Sequence, residues 1–512
     1  MELQCIRDHM ETEQVLQAKP TQVTVEAEAA LPGGLREEAK VYFADASVNM
    51  TGGEFSGSRM MAEGKVIFHA LYAQGDMRNV AAMETTADFS QALPLKEEMA
   101  TAAAAAVRPR AQVQHVSAKA FNGRLLLQAI LQLTAEISLP RNLSFIRDVA
   151  ENENIQRATQ AISMQRAVGE GESTALLKEE FELSDVLQIK DTLYATAYAQ
   201  VEDILGGADG RATVTGVIQI EAYHTADMPG RPMVYTRHSM PFEQMVNLSG
   251  ALGDALVAHS MVRDVAVLSQ DGPDNGKIMR AEVQLHSEIT AVESREMTAL
   301  KDVFTLSGPG VEKRSQHVFY RTDTVNEQAA ESGKAVLMLP EGSPRMKQTL
   351  LSFARPILVR AEKQHGKLVT EGILEITLIY LTDDSAIPVS VEMEEPFRAV
   401  FAAQADENDQ LMLSAAQVES SAVTGDRAEL KYILRLQAEG VRKAEASVIT
   451  DAAETDAQEP PKGISLYFLQ PGESAWDIAK RYRIPLAAIG DMNPDFSDSA
   501  APGTPVIIYR RA

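Results

Sequence analysis

Apolar and polar residues alternate with a period of two along many stretches of the chain, which is the pattern of strands with one buried face. In GILEITLIY, Leu374, Ile376 and Leu378 share one side, while Ile373, Glu375 and Thr377 share the other. Helical spacing is scarce outside the C-terminal tail. It is confined to an Ala-rich tract, Ala102 to Ala106, and the segment Ser249 to His259, both read as short helical inserts. The pattern predicts a mainly β protein.

The strands recur as a set. A Leu-Pro turn, LPGG at Leu31 and LPEGSP at Leu339, has a degenerate counterpart in FELSD at Phe181. A glycine then opens an apolar strand at Gly64, Gly216 and Gly372, and the distance from Leu31 to Gly64 equals that from Leu339 to Gly372, 33 positions. Phe89, Phe242 and Phe397 follow those glycines by 25, 26 and 25 positions. A last glycine, Gly123, Gly276 or Gly425, precedes another alternating stretch, 34, 34 and 28 positions after its Phe. Self-similarity of this kind predicts tandem repeats, here 1–146, 147–300 and 301–450, the third with a shortened loop. The glycines and prolines suit turns at strand ends, and each Phe suits a core.

After the third repeat, DAAETDAQEPPKG (451–463) is acidic, contains proline and nearly lacks large apolar residues, so it reads as a flexible linker. The remainder, 464–512, reads strand, helix, helix, strand: Ser465 to Leu469, Ala475 to Tyr482, Pro485 to Asp491 and Pro505 to Tyr509. Ser474 with Asp477 three residues on forms a weak capping box, and Pro485 suits a helix start. Ala475, Ile478, Ala479 and Tyr482 make the core stripe of the first helix. Trp476, the only tryptophan, lies off it beside Lys480 and is expected to be partly exposed, as a partner anchor or as a cover on the edge of the small core.

Charge narrows the partners. The net charge of −24 and pI near 4.9 oppose binding to nucleic acid, which needs clustered Lys and Arg, and favour a basic protein surface instead. No apolar run reaches the length of a membrane span, and the start MELQCIRDHMETEQ lacks the features of a signal peptide, so an intracellular protein without a transmembrane segment is expected. A single cysteine, Cys5, rules out an internal disulfide.

Catalytic and cofactor motifs fail one by one. GPDNGKI at Gly272 is too short between its glycines for a phosphate loop, and VGEGES at Gly169 lacks the third glycine of a dinucleotide loop. The nine histidines are scattered without HExxH, and ADENDQ (405–410) lacks the glycine and terminal Glu of a calcium loop. The expectation is a non-enzymatic protein with no catalytic residues, metal or cofactor.

The LPEGSP turn, the Gly-strand-Tyr unit and the EPF turn together resemble the SPOCS repeat of spore coat proteins. The tail is similar to LysM modules in its Gly472-Glu473-Ser474 turn, Ile478-Ala479, Tyr482, Asn493-Pro494 and Gly503, with Ala475 where that family usually carries a bulkier apolar residue. Carried over by position, the LysM groove would be Gly472, Glu473, Ser474 and Trp476 facing Asn493, Pro494, Asp495 and Phe496. Three SPOCS repeats followed by LysM resemble the layout of clostridial spore-envelope morphogenetic factors. The resemblance implies a sporulation scaffold in the mother-cell cytoplasm, at the forespore surface or coat. Its implied partners are a coat-basement ATPase of the SpoIVA type and other coat proteins. LysM also implies an N-acetylglucosamine polymer as ligand, so the other readings are a peptidoglycan-binding wall or cortex protein and a LysM-targeted wall hydrolase. The absent signal peptide and the repetition of one β unit weigh against both.

Overall fold

The computed structural model describes residues 3–34, 38–56, 59–77, 79–94, 106–183, 187–207, 209–228, 230–271, 277–401, 404–407, 409–456, 462–494, 496 and 501–510. Within them the protein is mainly β, with twenty-two strands and two short helices. Among the described residues no helix is long and apolar enough to cross a membrane. The first group of strands is β1 (Cys5–Gln17), β2 (Thr21–Ala30), β3 (Ala39–Ser56), β4 (Arg59–Gln74), β5 (Val80–Pro94), β6 (Ala106–Phe121) and β7 (Arg124–Val149). The second is β8 (Ile155–Glu182), β9 (Ile189–Gly207), β10 (Arg211–Ala226), β11 (Met233–Asn247), β12 (Ser249–Gly250), β13 (Ala255–Asp271) and β14 (Lys277–Thr305). The third is β15 (Gly310–Met338), β16 (Met346–Gln364), β17 (Lys367–Thr382), β18 (Val389–Val400), β19 (Gln410–Thr424) and β20 (Arg427–Thr455). A tail of β21 (Gly463–Phe468), α1 (Ala475–Tyr482), α2 (Leu486–Met492) and β22 (Pro505–Arg510) closes the chain.

The pairing order is the same in each group. The last strand, β7, β14 or β20, is central and runs antiparallel to both the first strand and the one before it. The middle three strands form a separate meander: β3-β4-β5, β9-β10-β11 and β16-β17-β18. In the first group the opening strand is split into β1 and β2 beside Pro20, which has no N–H to give a ladder. Each group buries its own core between its two sheets, around Phe68 and Leu131, around Ile218 and Val283, and around Ile376 and Leu434.

Three further clusters take residues from all three groups, so the groups close on one another. Met10 and Phe145 meet Ile162, Met297, Val318 and Tyr320. Ile146 and Val149 meet Leu300, Val303 and Ile449. At the meanders, Tyr42 and Leu71 meet Tyr223, Met233, Phe353 and Ile379. A side chain as fully buried as Phe145 contributes about 1.5–3 kcal/mol by leaving water.

The sequence landmarks acquire a physical meaning here. Gly64, Gly216 and Gly372 do not open strands: each is the sixth residue of a 16-residue strand and lies directly across from its Phe. A Cβ at these glycines would stand 2.7, 2.9 and 2.6 Å from the ring of Phe89, Phe242 and Phe397 respectively. The Phe therefore lies over a glycine that must have no side chain, a cross-strand pair that covers the bare backbone. The Leu-Pro turn also meets the turn at the last glycine, since Leu31 N donates to Gly123 O at 2.9 Å and Leu339 N to the O of Asp426, next to Gly425, at 2.9 Å. Gly276 lies outside the described residues.

Three expectations are corrected. Ser249 to His259 is not helical: Gly250 and Gly253 have φ of 105° and 61°, and β13 pairs along its length with β14. The helical insert is likewise not found at Ala106, which starts β6, while 102–105 lie outside the described residues. The acidic segment is not all linker, because β20 carries its pairing with β15 through Asp451 to Thr455 before 457–461, which are not described. The breaks between groups fall at 150–154 and 306–309, a few residues beyond the boundaries read from landmarks, because the closing strands outrun their alternating stretches.

Candidate functional site

In the tail, β21 and β22 pair antiparallel and α1 and α2 pack on one side of them. Ser474 caps α1: its backbone N donates to Asp477 Oδ2 at 2.8 Å, and its hydroxyl accepts from Asp477 N. Ile478 and Ala479 are buried with Ile484, Ile489, Val506 and Ile508, and Ala475 and Tyr482 complete the stripe.

The tail is not held apart from the strands before it. Trp476 is not a free anchor: its ring meets Phe304 of β14 edge-on at 5.0 Å, and its Nε1 donates to Asp302 Oδ2 at 2.8 Å. Lys480 Nζ donates to the same oxygen at 2.8 Å, and Lys313 also pairs with Asp302. Burial opposes ionisation of Asp302, but hydrogen bonds from Lys313, Lys480 and Trp476 outweigh it and hold its pKa down to about 2. Arg483, buried and with a left-handed φ of 52° at the end of α1, donates from Nε to Thr305 O at 2.8 Å and from Nη2 to Gly308 O at 2.8 Å. A helix stripe identifies the module's own core. It could not reveal that Phe304 supplies a second apolar surface.

The other groove residues divide between turns and internal bonds. Gly472 is an exposed turn glycine with φ of 79°. Glu473 accepts from Tyr467 Oη at 2.6 Å, from Gln470 N at 3.0 Å and from Arg481 Nη2 at 2.6 Å, and the bond from Tyr467 leads in lowering its pKa. Asn493 donates to Ile489 O at 2.9 Å and Ile507 O at 2.8 Å and accepts from Ile507 N at 2.7 Å, which ties α2 to β22. Pro494 is exposed, Phe496 packs into the module core with Trp476, and Asp495 lies outside the described residues. The polar groups carried over at Glu473 and Asn493 are thus engaged inside the module.

What sequence reasoning missed is the other side of the two-stranded sheet. Ile464, Leu466 and Phe468 on β21 stand across from Tyr509, Ile507 and Pro505 on β22. All project away from the helices, with Ile464 78% and Leu466 59% exposed. A contiguous apolar face of this kind on a folded module marks a contact surface. GISLYF and PVIIY held the signal, since Ile464, Leu466 and Phe468 alternate on one face of the first strand and Ile507 and Tyr509 interleave with the buried Val506 and Ile508 on the second.

A second candidate lies between the three groups. A cavity of about 1550 Å³ is lined by strands from all of them. Glu136, Glu288 and Glu439 face it from the central strands β7, β14 and β20, paired in register with Arg108, His259 and Gln410. They stand 13, 12 and 14 positions after the last landmark glycines, a signal the sequence held within an otherwise apolar alternation. Arg110 joins the groups, with Nη2 at 3.3 Å from Glu288 and 3.9 Å from Glu439. Burial penalises both carboxylates, yet His286 and Arg110 at Glu288, and His259 and Arg110 at Glu439, hold both below the usual range.

His286 Nε2 lies 3.3 Å from Glu288 and 3.9 Å from Glu172, a grouping of metal-ligand types, but Glu288 already has Arg110 as its cation. Three buried polar atoms of the lining have no hydrogen-bond partner among the described residues: Arg321 Nε, His259 Nε2 and Asn326 Oδ1. A buried polar group left in that state costs about 1–3 kcal/mol.

Compared with family models, with curated proteins and with solved structures, the chain finds no match.

Proposed function

We propose that the protein is a non-enzymatic spore-assembly scaffold in which the three strand groups are SPOCS-type repeats and the tail is a LysM-type module that binds a protein. On this reading it acts in the mother-cell cytoplasm, helping to attach the coat at the forespore surface through a coat-basement ATPase of the SpoIVA type and other coat proteins. The observation that carries the protein-binding reading is the apolar outer face of Ile464, Leu466, Phe468, Ile507 and Tyr509. Such a face suits a desolvated protein interface. A glycan groove would instead draw on the polar groups that Glu473 and Asn493 already spend within the module. Recurrence of one pairing order and the shared clusters support a rigid scaffold on which the module is mounted.

The experiment is co-purification of the full chain with the SpoIVA-type ATPase, alongside sedimentation with purified peptidoglycan. Leu466→Glu and Ile507→Glu place charges on the outer face while leaving the module core intact. Binding to the ATPase, lost in both variants, is the expected result. Binding to peptidoglycan unaffected by the variants, with no ATPase capture, would replace this reading with the wall-binding one.

A further inference from the structure

We propose that the central cavity is a binding site for a neutral, hydroxyl-rich small molecule of the polyol or short-saccharide class. This inference is independent of the docking face on the tail.

The charges of the inner wall are already matched within the protein. Arg355 holds Asp45 at 2.6 Å, Arg321 holds Glu13 at 2.6 Å, and Arg110 serves Glu288 and Glu439. An anion would meet the exposed lining acids Glu392, Glu394 and Glu407, and a ligand of either charge that reached the inner wall would have to break such pairs. Neutral hydrogen-bonding side chains such as Gln112, Gln132, Thr290 and Thr377 occupy the wall between the ion pairs.

The unpartnered atoms narrow the class. Arg321, only 3% exposed, offers an N–H, Asn326 Oδ1 offers only an acceptor, and His259 Nε2 takes either role with its tautomer. A hydroxyl both donates and accepts, so one kind of ligand group satisfies all three. These residues come from the second and third groups, so the site exists only when the groups are closed together. The volume of about 1550 Å³ exceeds the roughly 300–1,000 Å³ of sites for drug-sized molecules, which leaves room for several linked rings.

Saturation-transfer NMR on the full chain with maltotriose, trehalose and myo-inositol tests the proposal. The expected result is transfer to at least one of them, lost in Thr377→Trp, which places an indole on the cavity wall in the ligand's way, and in Asn326→Leu, which removes the acceptor. The signal should persist in Ile507→Glu, whose change lies on the tail. Circular dichroism identifies folded variants, and Asn326→Leu decides if Thr377→Trp does not fold. No transfer from any of the three probes would mean that the cavity holds water only and would overturn the proposal. So would a signal that survives both substitutions, or a stronger one from the tripeptide Gly-Ser-Gly, which would assign the cavity to peptide.

Discussion

Replacing Gly372 by alanine tests the reading of the Gly–Phe pairs. The new Cβ would lie 2.6 Å from two atoms of the Phe397 ring and 2.1 Å from the carbonyl oxygen of Ile357. Phe397 is only 7% exposed, so its ring cannot move aside without disturbing the core of the third group, and the Ile357 oxygen belongs to the backbone of β16. Overpacking costs about 1–3 kcal/mol, and with both a ring and a strand to displace we expect the upper end of that range. Alanine recovers about 0.4–1 kcal/mol by restricting the unfolded chain, leaving a net loss of about 2 kcal/mol. For a unit of this size that corresponds to a fall of about 4–8 °C in Tm, read by circular dichroism.

Gly64→Ala should cost less, because its nearest backbone atom, Asn49 O, is 2.9 Å away. Gly52→Ala, with nothing within 4 Å, should be neutral or stabilising. A wild-type Tm for Gly372→Ala, or equal losses at Gly52 and Gly372, would refute the steric argument.

Docking of the tail should depend on pH through Asp302. Its folded pKa of about 2 lies below its ordinary value of 3.8, so the stabilisation is complete above about pH 4 and is lost as pH falls towards 2. Trp476 fluorescence reports the change, and Asp302→Asn should remove that pH dependence. Asn493→Ala deletes two hydrogen bonds to Ile507 of β22 and one to Ile489 of α2, and should destabilise the tail by about 1–3 kcal/mol in urea unfolding followed by the same tryptophan. Arg110→Met leaves Glu288 and Glu439 without their shared cation and should cost about 3–5 kcal/mol by calorimetry, partly restored by Glu288→Gln.

The strands were legible in the sequence because burial of one face imposes a local period of two. Leu374, Ile376 and Leu378 are buried as their alternation requires, and α1 starts at Ala475 with Ser474 as its cap. The landmark glycines and phenylalanines were legible as spacing but not as partners, since the cross-strand contact between Gly372 and Phe397 depends on register. Glycine at 250 and 253 outweighed the helical appearance of Ser249 to His259, because pairing with β14 satisfied the backbone of β13 as a strand.

Tertiary structure alone decided where Trp476 points, since the surface it meets is Phe304, far away in the chain. It alone brought Arg110, Glu288 and Glu439 together across three strand groups. A periodic pattern records which face of an element leaves water, whereas the identity of what lies against that face comes from long-range packing. For this protein the β architecture follows from local pattern, and the docked tail and the shared polar cavity follow from how the groups close.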